Sequence, residues 1–231
     1  MSTDSTFDGF ADAYEEACHK GLSLTGEGRE FFAKARVQLT AAACQSDTAI
    51  VRVLDFGCGV GHATRILRAT FPGATVFGVD NSVQSINRAV ADYGCEQAVF
   101  STAMPKCIEN SCDLAYCNGV FHHIPPSDRL TAARDVFTAL RPGGWFAFWE
   151  NNPWNPGTRL VMSRIPFDRD AILLRPSEAG ELLASAGFSI LATTYHFFFP
   201  AFLSFLRPLE SAMSRLPLGG QYCVLAAKRL L

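Results

Sequence analysis

The stretch Val53-Leu54-Asp55-Phe56-Gly57-Cys58-Gly59-Val60-Gly61 runs a short apolar segment into three alternating glycines, with an acid at its head. Where a strand turns into a helix, glycines let backbone N–H groups approach a ligand closely because no Cβ stands in the way. Nineteen residues beyond Gly61, Asp80 closes a second apolar run, Thr75 to Val79. A carboxylate there can accept hydrogen bonds from both hydroxyls of a ribose. Strand, glycine loop, helix, strand and acid in that order point to a cofactor that contains a nucleoside. Two more polar groups follow apolar runs: His122 and His123 after Leu114 to Asn118, and Glu150, Asn151 and Asn152 after Trp145. Either histidine is a candidate general base, imidazole being the side chain suited to that role near neutral pH. Glu150 is a candidate for orienting an acceptor hydroxyl or amine; the alternative is a strand-end carboxylate bound by neighbouring N–H groups. Beyond it, Asn151, Trp154 and Arg159 are candidate substrate contacts, the tryptophan by stacking and the arginine by pairing with an anion. A solvated loop held by its own Asp and Arg residues would carry the same composition.

These residues need a scaffold that brings strand ends together, and the chain alternates accordingly. Apolar runs at Ile50 to Phe56, Thr75 to Val79, Ala98 to Ser101, Leu114 to Asn118 and Trp145 to Glu150 read as strands. Helical stretches at His62 to Thr70, Ser82 to Tyr93 and Asp128 to Leu140 separate them, with Ser82 as an N-cap. Such alternation predicts βαβ crossovers and a parallel sheet. Arg141-Pro142-Gly143-Gly144 reads as a turn. The later pattern is a helix at Glu178 to Ala186, a strand at Ile190 to Phe199, a Pro-interrupted helix at Ala201 to Leu216 and a final strand at Tyr222 to Lys228. Ahead of the first strand, Phe7, Phe10, Ala13, Tyr14 and Ala17 form a helical stripe. A second helix, Gly28 to Leu39, would face Phe31, Phe32, Ala35 and Leu39 inward. The expected organisation is a helical cap over 1–48 on a sheet domain over 49–231.

Charge distinguishes the cofactors that share this layout. Dinucleotide enzymes carry G-x-G-x-x-G, whose helix N-terminus meets a pyrophosphate. Here the pattern is D-x-G-x-G-x-G, and an acid before the glycines repels a pyrophosphate but suits the cationic amino-acid part of S-adenosylmethionine. Together with Gly78-Val79-Asp80, Asn118-Gly119-Val120-Phe121-His122-His123-Ile124 and Leu140-Arg141-Pro142-Gly143-Gly144, the motif resembles the class I methyltransferases, especially the small-molecule branch. The resemblance runs from about Asp8 to Lys228. It implies an α/β, Rossmann-like fold: a seven-stranded, mostly parallel sheet with an antiparallel last strand and helices on both faces. It further implies that Asp55, Gly57, Cys58, Gly59 and Gly61 lie at the methionine end of the cofactor, that Asp80 with Asn81 holds the ribose, and that Asn118 touches the cofactor through its backbone. Tyr14 matches a family tyrosine that closes over the cofactor, and the residue at His123 orients a loop in many relatives. Many relatives carry an aspartate after the third strand for the adenine amino group; this chain has Thr102 and Ala103 there, and the Thr102 hydroxyl or a backbone carbonyl is the candidate substitute.

Composition excludes several classes. A net charge of −2 with scattered Lys and Arg gives no field that attracts nucleic acid. Eight cysteines without a signal-like N-terminus read as reduced thiols in a cytoplasmic protein, and without a CxxC pair no metal is expected. Ser189 to Leu206 lacks a formal charge but is broken by His196 and Pro200, so no transmembrane segment is expected. The Phe-rich segment 197–206 reads either as a buried packing helix or as a lid or membrane-surface contact. The expected activity is methyl transfer from S-adenosylmethionine to a small molecule, through an oxygen of a sugar, polyketide, phenolic or lipid-like acceptor. The competing readings are an NAD(P)-linked oxidoreductase and a catalytically silent S-adenosylmethionine-binding subunit.

Overall fold

Strands of β-branched and aromatic residues that bury both faces need helices above and below, and the computed structural model has that arrangement. It describes residues 21–44, 49–168 and 171–229. The stripe from Phe7 to Ala17, Tyr14 included, lies outside the described residues, as do Arg169 and Asp170. The elements are α1 (Arg29–Ala43), β1 (Arg52–Phe56), α2 (His62–Thr70), β2 (Thr75–Val79), α3 (Val83–Tyr93), β3 (Ala98–Ser101), β4 (Cys112–Asn118), α4 (Arg129–Ala139), β5 (Leu140–Asn151), α5 (Pro156–Ser163), α6 (Pro176–Ser185), β6 (Phe188–His196), α7 (Glu210–Met213) and β7 (Gln221–Lys228). Ser82 caps α3, its side chain accepting from Ser85 N at 3.1 Å.

The sheet order is β3-β2-β1-β4-β5-β7-β6, with β7 antiparallel to both of its neighbours and the other pairs parallel. This is the sheet that the family resemblance implies. Successive residues alternate between two apolar clusters, as the strand period of two requires. Val53, Leu114, Tyr116, Ala147 and Trp149 pack with Val37 of α1 and Leu67 of α2. Leu54, Ala115, Cys117, Phe146 and Phe148 pack with Val136 of α4 and Leu183 of α6. Because β1 pairs with β2 on one side and β4 on the other, the chain leaves its carboxyl end in opposite directions, which opens a crevice there. The reversed strand β7 matters to that crevice: Gln221, its first residue, pairs with Asn151, the last of β5, so the start of β7 reaches the edge where the other strands end.

Four local expectations are corrected. Arg141 to Gly144 is not a free turn but the opening of β5, where the register with β4 shifts between Cys112 and Leu114; Gly143 at φ 80° absorbs the irregularity. Helix α1 buries Ala33, Arg36, Val37 and Thr40 rather than the expected stripe. Small side chains let it lie close on the sheet, with Trp149 Nε1 donating to Thr40 Oγ1 at 3.0 Å. Phe31, Phe32, Ala35 and Leu39 line an outer groove of about 330 Å³ with Phe197, Phe199 and Pro200. The helix expected over Ala201 to Leu216 is a 3-10 segment, Ala201–Leu209, kinked at Leu203 and followed by the single turn α7. Pro208 supplies no N–H for an α-helical ladder, which accounts for the tighter, broken form. Strand β6 ends at His196 because Phe197 takes a left-handed φ of 63°, not at Phe199.

Candidate functional site

The glycine loop sits where the crevice opens. Gly57 and Gly59 have φ of 73° and 53°, a region that costs any residue with a Cβ. A Cβ on Gly57 would come within 2.2 Å of Val120, whereas one on Gly59 would meet no protein atom within 4 Å. Three of the loop's own donors are engaged: Gly57 N and Cys58 N both donate to Val79 O, at 2.7 and 3.1 Å, and Gly59 N donates to Asp80 Oδ2 at 2.9 Å. Ser82 N donates to the other Asp80 oxygen at 2.9 Å, so Asp80 braces the loop from the end of β2. What the wall offers a ligand is acceptors. Asp55 is buried, holding the Thr64 hydroxyl at 2.6 Å, and Asn118 Oδ1 is buried with no hydrogen-bond partner among the described residues. Burial raises the Asp55 carboxyl to about 7; the Thr64 hydrogen bond opposes that rise and the charge of Asp80 adds to it. A pyrophosphate needs free N–H donors and meets a carboxylate badly. A ligand bearing a cation or donors fits this wall.

The His and Glu candidates come together from the ends of β4 and β5. Glu150 is fully buried, and its Oε1 accepts from Phe121 N at 2.9 Å and His122 N at 3.3 Å. Its Oε2 lies 2.5 Å from His122 Nδ1 and accepts from Asn151 N at 3.3 Å. Glu150 is thus a strand-end carboxylate bound by N–H groups, the alternative reading of its sequence position. Asp168 joins the group: its Oδ1 is 3.2 Å from His123 Nε2 and 3.7 Å from His122 Nε2. Burial alone would push the His122 imidazole down, but the negative charge of Glu150 and then of Asp168 carries it up to about 10.

One cavity of about 580 Å³ connects these groups, within the size range of small-molecule sites. Of the residues singled out in the sequence, Asp55, Gly57, Cys58, Gly59, Asn118, His122 and Asn151 line it. Gly61 does not: its missing Cβ makes room for Tyr93 and Phe100, so it is a packing glycine. Asp80, Asn81, Thr102, Ala103, His123 and Glu150 also lie outside the lining, Asn81, Thr102 and Ala103 being exposed. Trp154, 51% exposed, and Arg159 face away from the cavity; the same insert contributes Asn155, Thr158 and Val161 instead, because it forms α5 with Asn155 as N-cap.

Sequence reasoning missed Arg29, Arg36 and Asp168. Arg29, Phe32, Ala33 and Arg36 occupy one face of α1 along the cavity, a spacing of three, four and seven that marks a shared helix face even when its members are charged. Arg36 is buried among neutral partners, its Nε donating to Tyr116 OH at 3.3 Å and Nη1 to Gln221 Oε1 at 2.9 Å. Phe197, Phe198, Phe199 and Pro200 close the far side.

Residues 54–146 match the model of a methyltransferase domain. A trans-aconitate 2-methyltransferase of Variovorax paradoxus (strain S110) is 34% identical over 131 residues, 55% of this chain and 46% of that protein. The enzyme of the same name from Mycobacterium tuberculosis (strain ATCC 25177 / H37Ra) is 30% identical over 160 residues, 62% of this chain and 59% of that one. The chain therefore spans about half the length of these curated relatives. Among solved structures, a SAM dependent methyltransferase from Archaeoglobus fulgidus superposes with a TM-score of 0.67 at 16% identity, covering 97% of this chain and 100% of that one. An S-adenosylmethionine dependent methyltransferase from Mesorhizobium loti gives 0.59 at 22% identity over 83% and 97%. These likenesses establish the fold.

Proposed function

We propose, from a chain whose residues 54–146 form a methyltransferase domain and whose sheet has the class I methyltransferase order, that it transfers the methyl group of S-adenosylmethionine to a carboxylate oxygen of a small, largely apolar acid. The observation that carries this reading is the pair Arg29 and Arg36 on one face of α1, in the same cavity as the glycine loop.

The acceptor-lined wall at Asp55 and Asn118 suits the cationic methionyl end of the cofactor, and the occupied loop N–H groups argue against a dinucleotide. Arg36 stands beside that end through Tyr116, which is in register with Asp55. A buried guanidinium whose hydrogen-bond partners among the described residues, Tyr116 and Gln221, are neutral favours an anion, here the cofactor's carboxylate. Arg29, two turns earlier on the same face of α1, lines the cavity where it would meet the carboxylate of the acceptor, whose body would lie against Leu24, Phe32, Val161, Phe198 and Phe199. Asp80 at the ribose stays as the resemblance implies, and Thr102 stays the candidate at the adenine where relatives carry an aspartate.

When bound, the cofactor supplies an already activated methyl group on a sulfonium. The chain's part is to hold an acceptor oxygen in line at about 3 Å and keep water out. A carboxylate acceptor has no proton to lose, so no general base is required. That agrees with Glu150, both of whose oxygens are engaged by N–H groups. The relatives named for trans-aconitate support an organic acid, while the apolar wall here favours one charged end on an apolar body. Phe202 and Phe205, 77% and 73% exposed beside Pro200, offer a surface on which such an acid, or a membrane holding it, first lands.

Release of S-adenosylhomocysteine with a panel of aromatic and aliphatic acids, trans-aconitate, phenols and amines tests the reading. Arg29→Gln should raise the acid's KM about 10- to 100-fold, the loss of one charge-assisted contact, with cofactor affinity little changed. Arg36→Gln should do the reverse. Turnover of phenols or amines without acids overturns the acceptor class; no affinity for S-adenosylmethionine or S-adenosylhomocysteine overturns the activity.

A further inference from the structure

The cluster of His122, His123 and Asp168 carries more than a hydrogen-bond network requires. We propose that these three side chains form a binding site for one divalent transition-metal ion in the cavity wall, with Glu150 as the residue that positions His122 from behind. This goes beyond methyl transfer and departs from the sequence expectation of no metal.

Four observations support it. The ligand atoms of the three residues all lie within 4.8 Å of one another. Asp168 Oδ1 stands 3.2 Å from His123 Nε2 and 3.7 Å from His122 Nε2. Nitrogen and oxygen ligands each roughly 2.0–2.2 Å from a zinc-like ion sit about 3.0–3.5 Å apart, so the two measured separations fall near those of a formed site. His122 Nδ1 is taken by Glu150 at 2.5 Å, which fixes the ring and turns Nε2 away from the carboxylate. This carboxylate–histidine pairing is the arrangement that orients a metal-ligating imidazole. Finally, His122 is only 3% exposed, yet its Nε2 has no hydrogen-bond partner among the described residues. A buried ring nitrogen without a partner is costly unless something else meets it.

Chain geometry explains how two consecutive histidines reach one ion. His123 N donates to Val120 O at 3.0 Å and Ile124 N to Phe121 O at 3.2 Å, a tight turn that brings neighbouring rings to a centroid separation of 4.1 Å. Asp168 ends the 3-10 turn Pro166–Asp168, and Ile172 N donates to His122 O at 2.9 Å, so the two loops are tied together. Two imidazoles and one carboxylate suit zinc, manganese, iron(II) or nickel rather than calcium. His122 and Asp168 line the cavity, so the ion's remaining positions would be open to an oxygen of the bound acceptor.

The test uses tag-free protein, dialysed against chelator and then titrated calorimetrically with Zn²⁺ or Co²⁺ alone, with Co²⁺ visible absorption as a second readout. Wild type should bind one equivalent and develop Co²⁺ ligand-field bands. His123→Gln and Asp168→Asn should each weaken binding about tenfold or more, with thermal melting as the check that both remain folded. No binding by wild type overturns the proposal. So does one equivalent that persists in both folded variants, since the ion would then sit elsewhere, for example on the exposed Cys95 or Cys107.

Discussion

A carboxyl raised to about 7 inside an apolar wall has consequences at the scale of a single residue. Asp55 binds its proton more tightly folded than unfolded, so its contribution to stability is fully present below the ordinary carboxyl range and fades as pH rises through 7. The melting temperature of wild type minus that of Asp55→Asn should therefore fall between pH 5 and pH 8. A difference that is flat or rises with pH contradicts the burial argument. Cofactor affinity should move the other way, because only the ionised carboxylate attracts a cationic methionyl group. Titration with S-adenosylmethionine should tighten from pH 6 to pH 8 in wild type and not in Asp55→Asn. The acid itself was legible in the sequence, since it heads the glycine motif; its titration was not, because that depends on Thr64 and Asp80 approaching it in three dimensions.

Two glycines at alternate positions of one loop separate packing from ligand binding at the scale of the element. Gly57→Ala meets both a left-handed φ and Val120 at 2.2 Å, which should cost about 2–4 kcal/mol of stability. Gly59→Ala meets only the φ, so about 1 kcal/mol is expected, together with a loss of cofactor affinity. Thermal melting and S-adenosylhomocysteine titration of the two variants check this, and a Gly59→Ala protein that binds as wild type does would remove Gly59 from the cofactor site. The strand and helix alternation from Ile50 to Glu150 was readable because each element has a clear period and a polar end. Helix α1 was read with the wrong face inward, since the pattern gives weight to Phe31 and Phe32 while the sheet selects the small Ala33 and Thr40 for close approach. Trp154 and Arg159 were chosen by chemistry alone, and α5 turns them outward.

Across the whole molecule, the apolar surface is uneven. Among the described residues no helix is long and apolar enough to cross a membrane, yet Phe202, Phe205 and Leu209 stand exposed on one short segment next to the cavity. Phenylalanines this exposed add little to stability. The double variant Phe202→Ser/Phe205→Ser should thus melt within about 2 °C of wild type, the most that about 0.5 kcal/mol moves a chain of this length, but show a several-fold higher KM for apolar acids and weaker sedimentation with vesicles. An unaltered KM and unaltered sedimentation would leave the segment without a part in acceptor capture. The sequence marked this segment as unusual, but only the structure sets it beside the cavity.

Strand β7 has one further implication, for the order in which the protein can be made. Among the described strands it is the last in chain order, yet it lies between β5 and β6 and pairs with both along nearly its whole length. Until it emerges, β5 has one open edge beyond β4 and β6 has no partner in the sheet, the form most exposed to pairing with other chains. Gln221 and Gly220 complete the cavity wall in the same event. Nascent chains halted before Gln221 should consequently be sticky and blind to the cofactor at once, because sheet closure and pocket closure are a single late step.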